Sequence, residues 1–356
     1  MRSVAELAEA VRSAPGPFVV RGGGSKQDWG GAPDGSAYLD VADLREIVDH
    51  AAGDLVVTAQ AGVRLADLQA ALAGAGQWLA LDPPEAGATL GGIVATAATG
   101  PRRLLYGGPR DLLIGTTFVL ADGTVARAGG KVVKNVAGYD LCKLFCGSYG
   151  TLAVLAELTF RLHPLPEAGA VVVVETPTPA DVGRAVAGAL HSQAVASAID
   201  YADGRVTVLI EGVEAGVGAR AASMAEAIGG EIAGTVPEGF GSRPWGEGEV
   251  GIKVAAEVAA VPQVLEALRA AGATRVSGPA GVGVLYAALA AVDDVPPLRE
   301  AIAGHDGSVV VLHASEEDRR RVDPWGPVAG LALMRRVKER FDPQRRLAPG
   351  RFVGGI

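Results

Sequence analysis

Residues 21–26, Arg-Gly-Gly-Gly-Ser-Lys, follow the short apolar run Phe18-Val19-Val20. In a glycine-rich turn, successive backbone N–H groups can converge on an anion because no side chain blocks the approach. Ser25 adds a hydroxyl donor and Lys26 a positive charge, so the chemistry offered is phosphate binding. Two common phosphate loops do not fit. Lys26 is followed by Gln27 rather than Ser or Thr, as a Walker loop requires. Gln27–Gly31 is also a poor opening for the helix that a dinucleotide fingerprint needs. Taken alone, the loop also fits an ordinary surface turn.

Two further stretches carry groups able to hold a ligand. Residues 86–100, AGATLGGIVATAATG, are small and uncharged apart from the chain ahead of them. They let a flat ligand lie close to the backbone, and Thr89, Thr96 and Thr99 supply hydroxyls. Residues 129–157 mix Lys134, Asn135, Asp140, Lys143 and Ser148 among apolar residues without the alternation of a core strand. A competing motif, GVGARA at 216–221, matches G-x-G-x-x-A. Five residues separate it from the strand ending at Ile210, and Glu211 and Glu214 would repel a pyrophosphate. The two cysteines, Cys142 and Cys146, share one helix face and read as small buried apolar residues rather than a metal site.

These stretches must be positioned by regular elements. The pattern predicts a helix over 3–12, a strand into the glycine loop, a strand at 37–41, a helix at 44–51 and a strand at 54–62. A helix at 64–76 stops at glycine. Residues 111–127 read as a hairpin around Asp122-Gly123. Prolines at 164 and 166 mark a domain boundary. Beyond it, strands and helices alternate in a way that predicts an antiparallel sheet with helices on one face. A final helix at 325–340 precedes an extended tail.

Composition narrows the function. With 49% hydrophobic and 20% charged residues, 356 residues can bury a large core over about two domains. A net charge of −8 argues against general nucleic-acid binding. No run is long enough to span a membrane, and the N-terminus reads as an amphipathic helix rather than a signal peptide. The expected location is cytoplasmic, with any inner-membrane association made through partners.

The segments RGGGSK (21–26), GATLGG (87–92), TGPRR (99–103), RDLLIG (110–115), GGKVVKNVAGYDL (129–141) and GSYGTLAVL (147–155) occur in a telling order and spacing. Together they resemble the FAD-binding domain of the vanillyl-alcohol oxidase / p-cresol methylhydroxylase (PCMH) type. In detail they are similar to the FAD-binding E subunit of bacterial glycolate oxidase. The resemblance covers about 15–165 strongly and the remainder weakly. It implies an α+β fold: a PCMH-type FAD-binding domain of two α/β subdomains (1–165), an α+β cap with an antiparallel sheet (166–340), and a tail (341–356) returning to the first domain.

It further implies that Arg21, Gly22, Gly23, Gly24, Ser25 and Lys26 bind the FAD pyrophosphate. Thr89, Leu90, Gly91, Gly92, Thr96 and Gly100 would line the flavin and ribityl region. Arg110, Asp111, Asn135, Gly138, Tyr139, Asp140, Gly150 and Val154 would complete the cofactor contacts. No histidine falls in a flavin motif, so FAD is expected to be non-covalent. The tail departs from the family's Asn-Pro-Gly at Ala348, leaving that asparagine's side chain without a counterpart. Catalytic relatives carry a metal-binding histidine pair in the cap; here His313 has no close second histidine, so no metal is expected.

Oxidising a hydroxy acid needs a cation for the carboxylate and a base for the hydroxyl. The cap offers Arg275, Tyr286, His313, Arg320 and Arg321 for these tasks. The implied activity is that of an FAD-dependent subunit of a glycolate (2-hydroxy-acid) oxidase complex. It would pass electrons to a catalytic flavoprotein subunit and an iron–sulfur subunit, since no cysteine cluster here could hold such a centre. The alternatives are a self-sufficient FAD oxidase or dehydrogenase of another alcohol or hydroxy acid, and a flavin-binding scaffold without turnover.

Overall fold

A computed structural model describes residues 1–33, 37–131 and 139–356. They form two compact units. The first comprises 1–99, 107–165 and 327–356; the second comprises 100–106 and 166–326.

The first unit opens with helix Val4–Ser13, whose N-terminus is capped by Ser3 Oγ accepting from the Glu6 amide at 3.2 Å. Its apolar stripe, Leu7, Ala8 and Val11, is buried against Val119, Val154 and Leu347. Strands Phe18–Arg21 and Ala37–Asp40 pair in parallel. The main sheet is antiparallel, in the order Ile47–Ala51, Val56–Gln60, Val154–Arg161, Leu113–Val119, Val125–Gly129. The expected hairpin at 111–127 is present as the last pair.

One expected element differs. Residues 44–51 have helical apolar spacing, yet Ile47–Ala51 is an edge strand. Pairing with Val56–Gln60 satisfies its backbone, and a bulge between Ile47 and Asp49 lets the chain enter the sheet. Tertiary pairing outweighs a helical pattern this short.

The second unit is an eight-stranded sheet in which every pairing is antiparallel. Its order is Glu231–Ala233, Ala168–Glu175, Arg205–Gly212, Ala198–Ala202, Arg275–Gly278, Val284–Leu289, Val250–Ala255, Ser308–His313. Helices Pro179–His191, Glu214–Ile228, Val261–Ala270 and Val295–Ala303 bury Val186, Met224, Leu265 and Leu298 in one core with Val208, Ile252 and Leu285. Each such side chain contributes about 1.5–3 kcal/mol by leaving water. This is the expected α+β layer. GVGARA lies inside helix Glu214–Ile228, so the glycine turn of a nucleotide fingerprint does not form there.

The unit limits differ from the expected ones at two places. Residues 100–106 pack with the cap, where Arg102 makes a bidentate pair with Glu211 (Nε to both carboxylate oxygens at 3.1 Å, Nη2 to Oε1 at 2.8 Å). The return to the first unit begins at Pro327 rather than 341. It includes helix Leu331–Phe341, whose Phe341 ring meets Phe145 edge-on at 5.9 Å.

Candidate functional site

A cleft lies in the first unit. One wall is the backbone of Gly22–Lys26; the other is the start of helix Leu90–Thr96. Thr89 is 4% exposed and caps that helix, its Oγ1 accepting from the Gly92 amide at 3.3 Å. The two walls approach so closely that side chains are excluded. A Cβ on Gly22 would lie 2.5 Å from Thr89 Oγ1, and one on Gly23 would lie 2.3 Å from the Gly87 carbonyl. Gly24 has φ +76°, a backbone state that suits glycine. Gly91 donates to the Ala61 carbonyl at 2.8 Å, and a Cβ there would meet Ala61 at 2.9 Å.

Lys26 is 4% exposed, its Nζ donating to Ser25 Oγ at 3.1 Å and lying 5.9 Å from the centre of the Trp29 ring. The C-terminal return holds this loop from behind. Buried Arg351 donates to the Lys26 carbonyl at 2.8 Å and to the Trp29 carbonyl at 3.4 Å. The Gly31 amide donates to the Arg351 carbonyl at 2.9 Å. Further back, Arg346 and Ala348 of the return exchange backbone bonds with Phe18 in the strand that feeds the loop: Phe18 N–H to Arg346 O at 2.8 Å, and Ala348 N–H to Phe18 O at 2.9 Å. A rigid, narrow, glycine-walled cleft with a buried ammonium suits a long anionic ligand with a flat end.

Residues 1–129 match the family model described as FAD binding domain, and residues 284–352 match that of FAD linked oxidases, C-terminal domain. The two stretches match the two domain families of FAD-linked oxidases. Its cofactor is FAD. The chain is 38% identical to glycolate oxidase subunit GlcE of Escherichia coli over 217 residues, covering 60% of each protein. It is 32% identical to glycolate oxidase subunit GlcD of Bacillus subtilis, over 55% of this chain and 42% of that one. It is 35% identical to a D-lactate dehydrogenase of Archaeoglobus fulgidus, over 48% of this chain and 38% of that one. The solved structure of an alkyldihydroxyacetonephosphate synthase shares the fold with a TM-score of 0.70 at 14% identity, covering 97% of this chain and 74% of that one.

Of the residues expected at the cofactor, the FAD domain brings Gly22, Gly23, Gly24, Ser25, Lys26, Thr89, Gly91, Gly92, Thr96 and Gly150 to the cleft lining. Arg21 turns outward, pairs with Asp40 at 3.0 Å and covers the Tyr38 ring. Leu90 and Val154 are fully buried in the core behind the cleft. Gly100 belongs to the cap unit. Arg110 is exposed, and Asp111 accepts from the Gly108 amide at 2.8 Å as a turn closure. Tyr139 is 95% exposed, and Asp140 caps helix Leu141–Phe145. Asn135 and Gly138 lie outside the described residues.

The cleft also recruits residues that the motifs did not single out. Tyr149 lines it, at φ +55°, its amide held by the Ala95 carbonyl at 2.8 Å. Gln27 and Arg351 line it too. The Gly-Ser-Tyr-Gly turn was a legible hint of Tyr149, whereas Arg351 lies more than 300 residues from its partner.

In the cap, the candidate acid-handling residues separate. Arg275 donates to the Pro244 carbonyl and pairs with Glu249, so it braces a loop. Arg320 pairs with Glu316 at 2.7 Å within the exposed helix Glu316–Arg321, and Arg321 of that helix pairs with Asp293 at 2.8 Å. Tyr286 and His313 both face the sheet surface turned away from the helices, joined through Trp245, which meets Tyr286 edge-on at 6.0 Å and stacks on His313 at 6.3 Å.

Proposed function

We propose that this chain is the FAD-binding subunit of a 2-hydroxy-acid oxidase of the glycolate oxidase kind, passing electrons from a hydroxy acid through its flavin to partner subunits. The observation that carries the reading is the glycine-walled cleft, with Lys26 buried in it and Arg351 locking it from behind. The names of the E. coli, B. subtilis and A. fulgidus relatives support the substrate class.

Bound FAD supplies a two-electron acceptor. The chain's own contribution is positional: the Gly22–Gly24 amides, Ser25 and Lys26 hold and neutralise the pyrophosphate, while Thr89, Gly91, Gly92 and Thr96 admit the flat end. The reading takes FAD as non-covalent; among the described residues, the lining of the cleft holds no histidine or cysteine. Burial pushes the Cys142 thiol up to about 11 and the Cys146 thiol up to about 12, so neither is a ready nucleophile at neutral pH. A catalytic flavoprotein subunit and an iron–sulfur subunit are the partners this reading requires. A cytoplasmic site of action goes with it, and among the described residues no helix is long and apolar enough to cross a membrane.

The test is anaerobic mixing of the holoprotein with glycolate and with D-lactate while following flavin absorbance. Bleaching by the chain alone supports turnover of its own, and bleaching only after partner subunits are added supports a relay. A chain that takes up no FAD overturns the reading. Acid precipitation should leave the flavin in the supernatant; yellow pellets would show a covalent link.

A further inference from the structure

Helix Leu331–Phe341 is fastened on one side and open on the other. Inward, Lys338 Nζ donates to the Thr151 carbonyl at 2.8 Å, and Thr151 Oγ1 donates to the Ser148 carbonyl at 2.7 Å. Outward, Leu333 is 61% exposed. Leu333, Met334 and Val337 form one wall of an apolar groove, and Leu144, Leu152 and Phe352 lie across from them. Leu333 and Val337 also line a shallow hollow on the helix's other flank, together with Phe341, Arg336 and Arg340. Surface hydrophobics scattered singly need no explanation; a continuous apolar strip beside a groove marks a docking face.

The floor of the groove is the turn that also walls the cofactor cleft. Gly147, Ser148, Thr151 and Leu152 line the groove, while Tyr149 and Gly150, between them in the chain, line the cleft. The tail divides in the same way: Arg351 lines the cleft and Phe352 the groove. The Tyr149 and Phe352 rings lie 5.8 Å apart, inclined at 33°. A single layer of residues therefore separates the groove from the cofactor cleft. Electron transfer between proteins weakens steeply with distance, so a protein seated here stands where it can exchange electrons with the cofactor.

Charge says what such a protein presents. The whole chain is −8, yet residues 331–346 hold six basic side chains against two acidic ones. Lys338 and Asp342 pair with each other in the core. Arg336 and Arg340 are exposed, and among the described residues neither makes an ion pair or side-chain hydrogen bond; Glu339 is the acid beside them. A second copy of this chain would set the same surplus of arginines against itself. A flat bilayer would leave the groove unfilled. An apolar segment with an acidic rim matches both the groove and its flank.

We propose that this groove is the docking face for an electron-accepting partner protein, which lays an apolar segment flanked by acidic side chains along helix Leu331–Phe341. The proposal rests on the reading that this chain passes electrons to partner subunits, and adds the face where they leave. The step served is passage of two electrons, one at a time, from the reduced cofactor to an iron–sulfur centre of the partner, with two protons released to water.

The test uses the holoprotein and the iron–sulfur subunit of the same complex. Reducing the flavin with stoichiometric dithionite keeps hydroxy acids out of the measurement. Leu333→Asp, and Arg336→Glu combined with Arg340→Glu, should each weaken binding of that subunit tenfold or more. They should slow flavin reoxidation by it at least tenfold, with the flavin spectrum unchanged. Wild-type affinity should fall as salt rises, and the arginine variant should lose most of that dependence. Binding and reoxidation within twofold of wild type in both variants would overturn the face and leave the relay standing. So would a self-associated dimer, or sedimentation with phosphatidylglycerol vesicles, that Leu333→Asp abolishes while binding of the iron–sulfur subunit persists. A wild-type chain that binds no such subunit would overturn face and relay together. Normal reoxidation by the subunit without bleaching by glycolate or D-lactate would keep the face and remove the substrate.

Discussion

Two lysines withdrawn from bulk water show opposite uses of the same ammonium. Lys338, in the first unit, spends all three donors: on the Thr151 carbonyl, the Leu347 carbonyl and Asp342, each at 2.8 Å. Asp342 is fully buried and also accepts from the amides of Arg346 and Leu347. Lys253, in the second unit, faces two guanidiniums and spends none on the described residues. Both amines are lowered chiefly by burial, but Asp342 pulls Lys338 back up while Arg103 and Arg243 press Lys253 further down. The first lysine is an internal fastener. The second is a buried amine whose charge is opposed by its neighbours.

Substitution should separate them sharply. The largest effect is expected for Lys338→Met, which strands the Asp342 carboxylate in the core and should lower stability by about 3–5 kcal/mol, read by urea denaturation. A loss under 1 kcal/mol would erase the contrast. Lys253→Met should act in the opposite sense, raising stability at pH 7 by about 1–2 kcal/mol once solvent screening of a half-buried amine is discounted. The sign follows from its lowered value: the unfavourable charge is fully present below pH 8 and disappears as pH climbs toward the ordinary lysine value, so the gain should vanish near pH 10.

The smallest effect lies beside the Lys338 network, where Ala348 is held at φ +42°. Ala348→Gly should gain about 0.5 kcal/mol in thermal melts, the relief of left-handed strain being partly offset by a more flexible unfolded chain. A loss instead would mean that the network fits alanine without strain.

Local signals in the sequence carried part of this architecture well. The RGGGSK loop, the small-residue stretch and the hairpin at 113–129 depend on neighbours close in the chain, so glycine placement and alternation were enough. Strand Ile47–Ala51 was not legible, because its apolar spacing is helical and only a partner sheet decides against it. Arg275 has the charge that carboxylate recognition needs, but its partners, Pro244 and Glu249, make it a brace. Lys253 gave no signal at all: its setting is assembled from segments around 103, 243 and 286, and no short motif records that. Arg351 was silent for the same reason.

The strap formed by residues 346–351 has a consequence for how the protein is made. The loop at 21–26 leaves the ribosome early, yet the carbonyls of Lys26 and Trp29 find Arg351 only some 320 residues later. Contacts so distant along the chain close late. We therefore expect flavin loading to be a last step of biogenesis. Nascent chains halted before Arg346 should emerge colourless, and FAD retained by such chains would show that the pocket matures without its strap.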